Sequence, residues 1–436
     1  MFQTSSKFEA QFEEVNIPNS ELKRVVIIGG GFGGLRLAKG LHDKNFQVVL
    51  LDRHNYHAFQ PLFYQVATAG LEPGSIAYPL RKILNRYKNY YFRMAHVSSI
   101  DSAAQKVITN IGELQYDYLV IATGATTNFF GNKNLEALCM PMKTVSEALD
   151  IRSLMLQNLE KALLTNNALD KDSLMGIVIV GGGPTGVELA GALAELKKDI
   201  LPIDYPDLDM RVMDIHLLDS NARVLKEMSE KTSTKALAAL QEMGVDVHLH
   251  TRVIDFDGQK ITTESGTELR AAMVIWAAGV KATFPEGLPA ETISTGRISV
   301  DEFNKVRGLD SVFALGDCAT MISEENPRGY PMLAQPAMQQ GELLSRNLAQ
   351  LVQQKPMTPF VYKNLGTMAT IGRNKAVAEL KRFSLYGWIA WVAWLLVHVA
   401  QLIGFRNKFI VLVSWAQNYL RHSRDLRLII RPFRRS

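Results

Sequence analysis

The sequence predicts an α/β fold of two similar strand–turn–helix halves, followed by an amphipathic helical tail. Two glycine-rich fingerprints, 152 residues apart, predict the halves. The tail is predicted by its charge: residues 381–436 hold ten Lys/Arg and one acid among apolar runs, while the rest of the chain holds 38 Lys/Arg and 42 Asp/Glu. The net charge of +5 therefore belongs to the tail and does not point to nucleic acid. At 436 residues, the chain can form two or three domains with sizeable cores.

The first fingerprint, Gly29-Gly30-Gly31-Phe32-Gly33-Gly34, follows the aliphatic run Val25–Ile28. The second, Gly181-Gly182-Gly183-Pro184-Thr185-Gly186, follows Ile177–Val180. Both read G-x-G-x-x-G between a buried strand and a helix, the pattern that lays a dinucleotide pyrophosphate on a helix N-terminus. The first glycine makes the turn, the second lets the backbone approach the phosphates, and the third lets helix and strand pack. The helix dipole and its free N–H groups attract the anion. The candidate phosphate contacts are Gly29, Gly31, Gly33 and Gly34, then Gly181, Gly183 and Gly186. Phe32 either shields a cofactor or packs. Two complete matches imply two dinucleotides and electron transfer between them.

The strand after the first fingerprint, Gln47–Leu51, ends at Asp52, 23 residues after Gly29 and where a ribose 2′-OH partner belongs. Arg53 follows it. Residues 54–79 read as a long aromatic connection. A further strand, Tyr118–Ala122, breaks at Thr123-Gly124. A helical pattern runs from Thr144 to about Thr165, and the polar segment Asn166–Ser173 reads as a linker. The second helix runs from about Thr185 to Asp199. After an insert at 201–207, a strand over Val212–Leu218 ends at Asp219, 38 residues after Gly181. An acid there favours NAD over NADP, because it accepts from a 2′-OH and repels a 2′-phosphate; Arg223 nearby counts against it. Met273–Gly279 repeats the strand-then-glycine ending of the first half. Val312–Leu315 runs into Gly316-Asp317, and a helix follows from Met338 to about Gln353.

The tail opens on Gly387–Phe405, which is almost wholly apolar and at 19 residues barely long enough to span a bilayer. His398 and Gln401 within it, and three tryptophans on one side, favour a helix lying in the interface. Spanning, or burial in a core or dimer, are the other readings. The end, Arg421–Arg435, alternates Arg with Leu and Ile and suits an anionic lipid surface. Cys139 and Cys318, the only two cysteines, exclude a disulfide scaffold, a C-x-x-C redox pair and a Cys-rich metal site. No metal is expected. The N-terminus lacks a secretory or transit signal, so a cytosolic compartment is the default.

The chain resembles the type II NADH:quinone oxidoreductases, single-subunit flavoproteins with two dinucleotide-binding domains. The resemblance rests on Asn55–Ala67 (NYHAFQPLFYQVA), Gly181–Glu188, Gly316-Asp317, Ala334–Gln339 (AQPAMQ) and Leu402–Asn407. It implies two Rossmann-like domains plus a membrane-anchoring tail. The implied bounds are an extension over 1–21, an FAD-binding domain over 22–143 and 297–380, an NADH-binding domain over 144–296, and anchoring helices over 381–436. FAD would lie on the first fingerprint with Asp52, Arg53, Thr123, Gly124, Gly316, Asp317 and Ala334. NADH would lie on the second with Asp219 and Gly279. Gln335 and Gln339 would face quinone, and Glu188 would sit where the nicotinamide and quinone sites meet.

The implied reaction passes two electrons from NADH through FAD to a membrane quinone without proton pumping. The resemblance further implies a homodimer, attached peripherally to the cytoplasmic face of a bacterial inner membrane. The residues alone leave plainer roles open. Glu188 in the first helical turn could complement the dipole, Gln335 and Gln339 could be a solvated face, and Asp317 could be an N-cap. His398 reads as a satisfied helix histidine and Cys318 as a small core residue. Many relatives carry a second acid where this chain has Ala192, which leaves Glu188 alone. A soluble flavin or ferredoxin reductase, or a non-catalytic NADH sensor, are the competing readings.

Overall fold

The computed structural model describes residues 13–324, 326–381, 383–421 and 426–435. They form two compact units: one of residues up to His57 with Tyr78–Thr126 and Val280–Asn364, the other of Ala58–Ala77, Thr127–Gly279 and residues from Leu365 onward.

In the first unit, five parallel strands lie in the order Val312–Ala314, Tyr118–Ile121, Lys23–Ile28, Phe46–Asp52, Tyr90–Met94. The fingerprint strand is central, with Val25 opposite Val48 on one side and Tyr118 on the other. Being covered on both faces, the strands are continuous β-branched and leucine runs rather than alternating ones. The helix Phe32–Gly40 leaves the fingerprint and packs on the helix Ala334–Val352. A three-stranded antiparallel meander, Val97–Asp101, Lys106–Thr109 and Gly112–Gln115, completes this unit. Val15 and Ile17 are buried in its core, so the expected N-terminal extension is part of the fold from Val15 onward; its first twelve residues lie outside the described residues.

The second unit repeats this plan. Its parallel order is Met140–Pro141, Met273–Trp276, Ile177–Val180, Ile215–Leu218, Asp246–His248, again with the fingerprint strand central. It too has an antiparallel meander, Val253–Phe256, Lys260–Thr263 and Glu268–Arg270. To this it adds the tail: three antiparallel strands, Thr367–Gly372, Lys375–Leu380 and Phe383–Tyr386, then helices Gly387–Gln401 and Phe405–Arg421. The strand Thr367–Gly372 crosses the helix Pro184–Asp199 at Gly191, where a Cβ would lie 1.5 Å from the Ile371 carbonyl oxygen.

Several expectations change. The linker expected at Asn166–Ser173 is the helix Ala168–Met175, whose N-terminal N–H is capped by the Asn167 side chain. The strand expected from Val212 begins at Ile215, after a 3₁₀ turn over Met210–Val212. The helix expected from Met338 begins at Ala334. The compact units break near 57, 77, 126, 279 and 364, and the tail strands pack on the second fingerprint helix.

Nor is the tail a separate appendage. Ala390, Trp394, Leu402 and Val411 are buried, and the side chains of Asn407 and Asn418 donate to the carbonyls of Ala77 and Gly70. The three tryptophans do not share an outward face: Trp388 is exposed, Trp391 half-buried and Trp394 only 1% exposed. No helix among the described residues is long and apolar enough to cross a membrane. The terminal arginines also make bonds that the sequence does not suggest. Arg427 pairs with Asp204, Arg431 with Asp150, and Arg435 donates to the carbonyls of Ala272 and Gly258.

Candidate active site

The two fingerprints fold into matching cradles. Gly29 and Gly181 adopt φ of 107° and 113°, where a side chain is strained. Their N–H groups donate to Leu51 and Leu218 at 2.8 Å each. A Cβ on Gly34 or Gly186 would lie 2.0 or 1.9 Å from the carbonyl oxygen of Gly29 or Gly181. At Gly31 and Gly183, a Cβ would meet nothing within 4 Å. Those two residues N-cap helices with no acid in the first turn, so each cradle presents open backbone and a positive helix end.

The strand-end acids take matching positions. Asp52 accepts from the N–H groups of Gly30 at 2.6 Å and His54 at 2.7 Å. Asp219 accepts from those of Gly182 at 2.5 Å and Asn221 at 2.7 Å. Arg53 is exposed beside the first. Gly124 adopts φ 73° with an open face, while the Thr123 hydroxyl donates to the Thr283 carbonyl. In the other unit Gly279, at φ 80°, sits under the Phe130 ring. Phe32 meets the His57 ring edge to face at 5.2 Å.

His57 and Gln340 were not found from sequence. The His57 ring is buried, which holds it below its usual pKa, and its Nδ1–H donates to the Gly30 carbonyl at 2.9 Å. Gln340 accepts from the Gly316 N–H at 2.8 Å and so holds the turn that carries half-buried Asp317. Arg297 faces Asp317 electrostatically. The helix that begins at Ala334 has no acid in its first turn. Gln335 accepts from the Tyr362 hydroxyl at 3.4 Å. Gln339 makes paired bonds to the backbone N–H and C=O of Lys363, at 2.9 and 2.8 Å. Both glutamines belong to the first unit and Glu188 to the second.

Glu188 lies beyond the first helical turn, so it does not cap the helix. The residue is 8% exposed, and its carboxylate accepts from the Thr370 N–H at 3.4 Å. Burial pushes its pKa up to about 8; the Thr370 N–H and the nearby Trp394 indole oppose this only in part. It lines a cleft of about 850 Å³ of free space, part of it open to solvent. Tyr64, Gln65, Trp391, Trp394 and Trp415 line the same cleft. Gln65 joins two of them, donating to the Tyr64 hydroxyl at 2.8 Å and accepting from Trp415 Nε1 at 2.7 Å. The buried Trp394 Nε1 is turned toward the Glu188 carboxyl, and its ring stacks on His398 at 3.9 Å. His398 Nδ1 lies 2.7 Å from the Trp394 carbonyl, the satisfied helix histidine the sequence suggests. Cys318 is fully buried as a small core residue. A cleft with a carboxyl whose pKa is raised by burial, an indole N–H beside it and aromatic walls suits a flat, neutral molecule with carbonyl acceptors.

The chain is similar to known proteins over most of its length. Residues 23–341 match the pyridine nucleotide-disulphide oxidoreductase family, and residues 364–425 match the NDH2 C-terminal domain. The chain is 36% identical over 413 residues to the type II NADH:quinone oxidoreductase Ndh of Mycobacterium tuberculosis, covering 91% of this chain and 88% of that one. It is 30% identical over 396 residues to the type II NADH:quinone oxidoreductase of Haemophilus influenzae, covering 82% and 87%. Its fold is similar to that of NDH2 from Plasmodium falciparum in complex with NADH, with a TM-score of 0.86 at 20% identity over 94% of this chain and 100% of that one. The chain belongs to the type II NADH:quinone oxidoreductase family and is an NADH dehydrogenase.

Proposed function

We propose that the protein holds FAD on its first cradle, takes NADH on its second, and reduces a membrane quinone without pumping protons. The observation that carries this reading is the pair of matching cradles, one in each compact unit. The open faces at Gly31 and Gly124 fit a pyrophosphate, and Asp52 and Asp317 fit ribose and ribitol hydroxyls. When bound, the flavin supplies two-electron chemistry between a hydride donor and a quinone. The protein's own work is to bind, orient and manage protons. Gly183 and the helix end behind it take the NADH pyrophosphate, and Asp219 accepts from the adenosine ribose.

In this reading, quinone occupies the Glu188 cleft. The tryptophan and tyrosine rings give it apolar walls, and the Trp394 N–H offers a donor to a carbonyl. Glu188 holds a proton at neutral pH and can release it as charge builds on the acceptor. The balance is NADH, quinone and one proton giving NAD⁺ and quinol. Gln335 and Gln339 are proposed to present neutral groups on the flavin's quinone side, Gln339 with its lysine-backbone bonds opened. The exposed residues Trp388, Ile389, Leu396, Phe405, Phe409 and Leu420 would lie in the plane of the cytoplasmic leaflet of a bacterial inner membrane.

The test extracts the flavin, then follows NADH oxidation with quinone analogues, with and without lipid. One FAD per chain and lipid-enhanced turnover with long-chain quinones support the proposal. Turnover with ferricyanide alone returns the protein to a soluble reductase of another acceptor. Bound NADH without turnover makes it a sensor.

A further inference from the structure

Four cations line one cleft on the first unit, toward the C-terminal end of the helix that starts at its glycine cradle. Arg36 and Lys39 come from the helix Phe32–Gly40, Lys44 from the turn after it, and Arg346 from the helix Ala334–Val352. The cleft encloses about 610 Å³ of free space, part of it open to solvent. The two helices touch there, since a Cβ on Gly40 would lie 2.3 Å from the Ser345 hydroxyl oxygen.

One carboxylate faces these four charges. Glu342 accepts from Arg36 Nη2 at 2.6 Å and lies 3.9 Å from Arg346 Nη1. Lys44 donates to the Gly40 carbonyl. Half-buried Lys39 and Lys44 have no ion-pair partner among the described residues. The nearby Asp43 is turned to His42 at 3.0 Å. Burial holds both lysines below the usual ammonium range, helped by Arg86 and Arg36 at Lys39 and by Arg346 at Lys44. The helix C-terminus attracts cations, Lys39 in its last turn and Lys44 through the Gly40 carbonyl, and Glu342 faces the two arginines. Four cations against one carboxylate still leave an excess of positive charge on a concave surface, which attracts a further anion. Exposed ion pairs stabilise too little to explain the gathering.

We propose that this cleft binds a phosphate-bearing polyanion, with Arg36 and Arg346 supplying planar forks and Lys39 and Lys44 supplying point charges. The same chemistry belongs to a free polyphosphate and to an anionic phospholipid headgroup.

Pyrophosphate is the probe, titrated by calorimetry into the flavin-loaded full chain with saturating NAD⁺ to cover the second cradle. One site is expected, with a dissociation constant raised about tenfold or more by Lys39→Gln or by Lys44→Gln. Lys235→Gln, on the other unit, should leave it unchanged. NADH turnover with a short-chain quinone should stay at the parent level in all three, which reports an intact fold. No pyrophosphate binding, or binding that survives both lysine substitutions, overturns the proposal. Phosphatidylcholine vesicles with and without phosphatidylglycerol separate the two sources. If the lysine variants bind anionic vesicles like the parent, the ligand is soluble; if they lose that binding too, it is a headgroup.

Discussion

The two glycine cradles share their turn, their open face and their strand-end acid, yet they differ in what surrounds them. The first is braced by side chains: the His57 ring holds the Gly30 carbonyl, and Gln340 holds the turn before Asp317. The second is braced by backbone, with the Leu225 N–H donating to the Gly182 carbonyl at 2.7 Å. Their helices also diverge. The first is nine residues long and packs on another helix, whereas the second is sixteen long and carries Glu188 into an aromatic cleft. One motif thus builds the same open cradle twice, and only the second helix carries a carboxyl in its later turns. On the proposed function, the first cradle holds a resident cofactor and the second a substrate that must leave.

That assignment is most exposed at the open glycines. Gly31→Val should fold but lose flavin absorbance and all NADH oxidation. Gly183→Val should keep its flavin while the KM for NADH rises by about a hundredfold or more, since the phosphate contacts go. Flavin loss from the second variant would reverse the assignment.

Glu188→Gln should lower quinone turnover by roughly 10²-fold, the usual range for removing a positioned acid. Its pH dependence follows from burial. With a folded pKa of about 8, against an ordinary carboxyl value of 4.5, Glu188 keeps its proton through neutrality. As pH rises from 4.5 to about 8, the unfolded chain ionises this group and the folded chain does not, so the parent loses stability across that window. Thermal melts should show the Gln variant gaining on the parent between those pH values and holding a constant lead above. Parallel melting curves would show that the carboxyl ionises freely.

Asp219→Ala should reduce the ratio of kcat/KM for NADH over NADPH by about tenfold, as a charged hydrogen bond and a repulsion are lost together. An unchanged ratio would take Asp219 out of the ribose site. The smallest effect is expected at His57→Leu. Loss of one donor to the Gly30 carbonyl should weaken flavin retention a few-fold, measured by ultrafiltration, with NADH KM unchanged. An effect on KM alone would mean that the brace serves the second cradle.

Both cradles were legible in the sequence, because strand, turn glycines and acid are local and periodic. Asp52 and Asp219 could be placed by counting from Gly29 and Gly181. The cleft was not legible as a site: Glu188 meets Tyr64 and Trp394 only through the fold, and its importance came from family resemblance. Pro336 hid the start of its helix, since proline reads as a breaker yet is tolerated in a first turn. Arg427 and Arg431 read as lipid-facing because they alternate with Leu and Ile. Their partners Asp204 and Asp150 lie 223 and 281 residues away, beyond any pattern. The first nucleotide cradle was plain while its braces were not, because a lone His or Gln carries no spacing signal.

Asn407, Trp415 and Asn418 hydrogen-bond inward to Ala77, Gln65 and Gly70, while Phe405, Phe409 and Leu420 of the same helix face outward. A water-soluble form of this enzyme is therefore to be sought by repainting, not by cutting. Polar replacements at the outward positions leave the inner bonds and the Glu188 cleft intact, while truncation before Gly387 strips one wall from the cleft along with the oily surface.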